Sequence, residues 1–96
     1  MKPLRLTPAA RADLRTIYQE GVRRFGDVQA RRYFDRLTEE LRFIENFPLA
    51  VRLRDEFVPA VRIHKAGAHV IIFDVRETEI VIARIRHGRE DWHPNT

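Results

Sequence analysis

The clearest chemistry in the sequence lies near its end. Arg84, Arg86, His87 and Arg89 follow the apolar run "IVIA", and Trp92 stands just beyond them behind Glu90 and Asp91. Arginines beside a histidine can serve phosphate chemistry. In ribonucleolytic cleavage a base takes the 2′-hydroxyl proton, cations stabilise the five-coordinate phosphorus, and an acid protonates the leaving oxygen. Histidine, with an ordinary pKa of about 6.5, suits the role of base. Arg62, His64, Arg84, Arg86 and His87 are the groups the chain offers such chemistry, and Arg62, Arg84 and His87 are the candidate catalysts should it be carried out. The same residue types also suit a protein contact, because Trp and Arg are the side chains most often found at binding hot spots. A third reading is simple solvation, in which Glu90 and Asp91 pair with Arg86 and Arg89 for about 0–1 kcal/mol each.

Other chemistries find no residues to carry them. The sequence has no cysteine, which removes disulfides and thiolate zinc sites, and no serine nucleophile. His64, His69, His87 and His93 lack compact ligand spacing, and the glycines form no phosphate loop. No metal and no cofactor is expected. His64 and His69 read more simply as ordinary strand residues.

Composition sets the class. The 96 residues suit one domain, 1–96, and 44% hydrophobic with 33% charged residues describes a globular chain. No run has the length of a membrane span or a signal peptide, so a cytoplasmic protein without a membrane partner is expected. The formal net charge is +4, and all 18 basic residues are arginine except Lys2 and Lys65. Arginine makes planar, two-pronged contacts with carboxylate and phosphate, which points to an acidic protein or to nucleic acid. Interspersed acids leave no dense basic stripe of the kind that marks a non-specific nucleic-acid binder.

The elements that must position these residues follow from patterning. Leu4-Arg5-Leu6 alternates like a short strand. Thr7 and Pro8 then provide a helix cap and a first helical residue. Leu14, Ile17, Tyr18, Val22 and Phe25 follow at near-helical spacing, and Gly26 ends that helix. Asp27 is expected to cap a second helix with apolar residues Ala30, Phe34, Leu37, Leu41 and Ile44, widened by Tyr33 and stopped at Asn46 to Pro48. The short link makes the two helices an antiparallel hairpin. Leu49 to Phe57 reads as a loop, with room for a short helical turn. Three strands follow: Val58 to Lys65, His69 to Val75, and Ile80 to His87. Short connections make them an antiparallel meander, and the second, apolar on both parities, is the most buried. The fold class is α+β, strand-helix-helix-strand-strand-strand, with the hairpin packed on one face of an antiparallel sheet of three or four strands. The other face is expected to be partly open and to carry the site. Whether Arg62 and Arg84 share a face is not fixed by pattern, because a one-residue slip flips every side chain.

This order, together with "VRIHKAGAHVIIFDV" and "VIARIRHGREDW", resembles the ParE branch of the RelE/ParE toxin superfamily. The resemblance covers nearly the whole chain: "LTPAARADL" at the first strand and cap, "RFG" at the helix break, "FP" at the helix exit, and Arg84 with His87-Gly88-Arg89 at the end. It implies the toxin half of a bacterial type II toxin–antitoxin pair, which inhibits DNA gyrase and is neutralised by a ParD-like antitoxin. Operator DNA would be met only through the antitoxin. It further implies that Arg84, Arg86, His87, Arg89 and Trp92 contact the target. Arg31, Arg32, Arg36 and Arg62 would meet the acidic antitoxin segment in a groove between helices and sheet. RelE-type relatives instead cut messenger RNA in the ribosome, with clustered Lys and Arg and a late Tyr or His. This sequence has no tyrosine after Tyr33 and one lysine in the sheet region. The nuclease stays as the alternative, as does a degenerate toxin that retains only antitoxin binding and co-repression.

Overall fold

A computed structural model describes residues 1–89. The strands are β1 (Leu4–Leu6), β2 (Leu53–Arg54), β3 (Val61–Ala66), β4 (His69–Val75) and β5 (Ile80–His87). A helical stretch, Pro8–Asn46, follows β1 and is broken at Gly26, whose backbone has φ 84° and ψ 170°. We call its arms α1 (8–25) and α2 (27–46). Thr7 caps α1 as expected, its hydroxyl accepting the Ala10 N–H at 3.1 Å. Asp27 does not cap α2. Gly26 is the non-helical residue, so it holds the cap position and Asp27 falls in the first turn, where an acid still complements the helix dipole.

The arms fold back on each other about Gly26. Tyr18 meets Phe34 edge-on at 5.8 Å, and a Cβ on Gly21 would lie 3.3 Å from that of Ala30. Ala30, Leu37 and Ile44 are buried, in line with the helical pattern. Phe25 departs from it: next to the break at Gly26, it is 68% exposed.

The strands form one sheet in the order β1-β5-β4-β3-β2. The expected antiparallel meander β3-β4-β5 is present, and the fold is α+β. Two features extend it. β1 joins β5 in parallel, Leu4 opposite Ile80, so the whole sheet is mixed. Within the expected loop, a 3₁₀ turn at Pro48–Ala50 is followed by β2, which adds a fifth strand on β3. β3 begins at Val61 and not at Val58. Pro59 has no N–H to give to a ladder, so pairing starts beyond it.

Residues of β4 alternate between two apolar sets. Ile71 and Phe73 face the helices and pack with Leu37, Ile44, Ile80 and Ile82. Val70 and Ile72 point the other way, as do Val61 and Val81, and these four are only 3–8% exposed. The face away from the helices is therefore not as open as the sequence suggested. Its centre is apolar and buried.

Candidate interaction site at the end of the last strand

A β-bulge decides where the arginines go. Along β5 the ladder runs Ile82 opposite Phe73 and then Arg84 opposite Ile72, leaving Ala83 unmatched. The extra residue resets the alternation. Ile80, Ile82 and Ile85 all reach the core, while Arg84 and Arg86 share the face of Ile72 and Val70. Arg62 stands opposite Phe73, on the helix face. Arg62 and Arg84 thus lie on opposite faces of the sheet. Arg62 also donates to the backbone carbonyl of Val51, toward the opposite end of the ladder from His87. The set Arg62, Arg84 and His87 does not converge.

Beyond Ile82, β5 runs past the end of β1, and the start of α1 supplies its outer edge with partners. Thr7 N–H donates to the Ile82 carbonyl at 3.0 Å, and the Thr7 hydroxyl to the Ala83 carbonyl at 2.8 Å. Asp13, in the second turn of α1, accepts the Ile85 N–H at 2.9 Å. The same carboxylate takes both prongs of Arg84, Nε to Oδ2 at 2.8 Å and Nη2 to Oδ1 at 2.9 Å. Burial opposes ionisation of Asp13. Hydrogen bonds from Arg84 and Ile85 outweigh it, helped by the charges of Arg84 and Arg86, and hold the carboxyl below its ordinary range.

At the same end of the sheet Tyr33, from α2, ties down the β3–β4 turn. Its hydroxyl accepts the Ala68 N–H at 2.9 Å, lies 3.3 Å from the Ala66 carbonyl, and meets His69 Nδ1 at 2.6 Å. His69 sits in register with His87, their rings edge-to-face at 5.3 Å. Gly67 makes the close approach possible: it has φ 61°, and a Cβ there would lie 2.9 Å from Tyr33. Beyond the strand, Gly88 N–H donates to the Ala68 carbonyl at 2.8 Å, and Arg89 N–H to His87 Nδ1 at 3.1 Å.

These groups surround a cleft of about 850 Å³ between the helical elbow and the end of β5. Arg84, Arg86 and His87 line one wall, with His69 beside them; Arg24 and Phe25 stand on the elbow side. Arg89 is exposed next to this wall. Trp92, with Glu90, Asp91 and His93, lies outside the described residues. His64, read as an ordinary strand residue, sits apart under Phe43, which stacks on it at 5.2 Å, and meets Glu40 at 3.0 Å.

A second groove of about 650 Å³ runs between the two helices, floored by Leu14, Tyr18 and Phe34 with Arg11, Arg15 and Arg31 around it. Of the four residues expected to hold an acidic segment, Arg31 alone lines this groove. Arg32 and Arg36 are exposed elsewhere on α2, and Arg62 lies under the 3₁₀ turn. Asp13 and Tyr33 were missed by sequence reasoning. Each looked like an ordinary member of an amphipathic helix, and only the bulge and the β3–β4 turn bring them into the site.

The match to known proteins follows the same lines. The family described as "ParE toxin of type II toxin-antitoxin system, parDE" matches residues 4–92. The chain therefore belongs to the ParE toxin family of type II toxin–antitoxin systems. Among solved structures, the chain is similar to one titled "Chromosomal ParDE TA system from P. aeruginosa". That match has a TM-score of 0.80 and 28% identity, and covers 91% of this chain and 96% of the other. A comparison with curated proteins returned no match. Among the described residues, no helix is long and apolar enough to cross a membrane.

Proposed function

We propose that this ParE-family toxin inhibits DNA gyrase through protein contact, without chemistry of its own, and is neutralised by a ParD-like antitoxin in the cytoplasm. The observation that carries the reading is the separation of the cationic groups. Arg84, Arg86, His87 and Arg89 gather at one end of the sheet, whereas Arg62, which the nuclease alternative requires, lies toward the other end of the ladder, on the face opposite Arg84 and Arg86, and is engaged with Val51. A contact surface needs only the first group, and we assign it to the target together with Trp92. The solved P. aeruginosa relative is titled a ParDE system, and an antitoxin partner for this chain is inferred from it. The groove between α1 and α2, with its apolar floor and Arg11, Arg15 and Arg31, suits an amphipathic acidic segment of that antitoxin. Arg32, Arg36 and Arg62 are left with a lesser part.

The test is a supercoiling assay with purified gyrase. The chain is expected to block supercoiling, and Arg86→Glu with Arg89→Glu to relieve the block. If supercoiling proceeds untouched while messenger RNA is cut in a translating extract, the ribonuclease alternative replaces this reading.

A further inference from the structure

We propose that the cleft between the helical elbow and the end of β5 is a seat for an acidic peptide segment of the target that carries one large apolar side chain. The proposal rests on the reading of the β5 end as the target contact, and it names the chemistry of what is contacted.

Three observations carry it. The first is size: about 850 Å³ lies within the range of sites that enclose a drug-sized ligand or a few side chains. The second is charge. Among the described lining residues three arginines, Arg24, Arg84 and Arg86, outnumber two acids, Asp13 and Glu20. Asp13 takes Arg84 and the Ile85 N–H, while Glu20 takes Arg23 at 2.6 Å and lies 3.9 Å from Arg24. Such a wall attracts carboxylates and repels a basic segment. The third is the floor. Ile17, Ala30 and Ile85 line the cleft from below, and Phe25 stands at its rim, 68% exposed. Gly21 and Ala30, small residues on the two facing arms, also line the cleft. An apolar anchor between carboxylates matches an apolar floor between arginines.

The occupant is assigned to the target and not to the antitoxin. The groove between α1 and α2 offers a separate arginine-flanked surface for the latter, and the cleft shares its wall with the proposed target residues.

The experiment is fluorescence anisotropy with a labelled short peptide of Asp and Glu around a single Phe, titrated with the intact chain. Binding is expected, and unlabelled gyrase is expected to displace the peptide. Arg86→Glu, and Thr16→Trp, which fills the cleft from its exposed wall without changing charge, should each weaken binding about tenfold. Arg76→Glu, an equal change of charge far from the cleft, should leave it unchanged. Equal weakening by Arg76→Glu would mean general attraction and overturn the proposal, as would full binding by Thr16→Trp. Displacement by a ParD-type antitoxin but not by gyrase would assign the seat to the antitoxin and overturn it too. If the wild-type chain has no effect on gyrase supercoiling, the proposed function itself fails, whatever the peptide does.

Discussion

Asp13 and Arg84 form a two-pronged ion pair, 2.8 and 2.9 Å long, across 71 residues of sequence. The pair joins the first turns of α1 to the strand that carries the candidate site. It also completes the edge of β5, since the same carboxylate holds the Ile85 N–H. Asp13 is the more enclosed partner, its side chain 14% exposed against 41% for Arg84.

Removing Asp13 strands a strand-edge N–H and a guanidinium together. Asp13→Ala is expected to lower unfolding stability by about 2–3 kcal/mol. Arg84→Met should cost less, about 1 kcal/mol, because solvent already screens the guanidinium. Urea denaturation midpoints of both variants measure the order. A larger loss for Arg84→Met would show that the carboxylate is not the keystone of the edge.

The pair also sets a pH dependence. Asp13 has a folded-state pKa below its ordinary value of 3.8, so its ionised form adds stability above that value. The contribution is lost as pH falls through the lowered folded value. Wild-type stability should therefore drop on acidification below about pH 4 by more than that of Asp13→Asn, and the two curves should converge in strong acid. Parallel curves across this window would contradict the assignment.

Gly67 and Tyr33 form a second constraint. Gly67→Ala meets both the positive φ of 61° and the Tyr33 ring at 2.9 Å, and should cost more than about 1 kcal/mol. Tyr33→Phe keeps the ring and loses the hydroxyl contacts to Ala68 and His69, for about 1 kcal/mol. In the Tyr33→Phe background Gly67→Ala remains costly, because the ring is still there. Thermal denaturation of the single and double variants checks this.

At the elbow the expected cost is of a different kind. Nothing lies within 4 Å of a Cβ built on Gly26, so only the backbone, at φ 84° and ψ 170°, resists substitution. Gly26→Ala and Gly26→Gln should destabilise alike, by about 1–3 kcal/mol. A marked dependence on side-chain size, measured by denaturation, would show that the elbow is packed against something.

Much of this fold is written in local pattern. The 3.6-residue spacing from Ala30 to Ile44 and the two-sided apolar run of β4 are strong periodic signals, and both match buried residues. Gly26 and Thr7 mark helix ends by their own chemistry. What the pattern lacked is long-range. β1 has three residues and pairs with a strand at the other end of the chain. β2 has two and no periodicity to detect. The bulge at Ala83 leaves no mark in composition, yet it alone decides which face Arg84 and Arg86 occupy. Asp13 and Tyr33 enter the site only through those long-range contacts. The residues at the end of β5 stood out by type, while their partners did not.

The account's central claim is that the chain acts on gyrase. Pulse-labelling of DNA and protein synthesis, followed in parallel after brief induction of the chain alone in a bacterial host, tests it most directly. The account predicts that DNA synthesis fails first while translation continues. Early collapse of translation with DNA synthesis intact would contradict it.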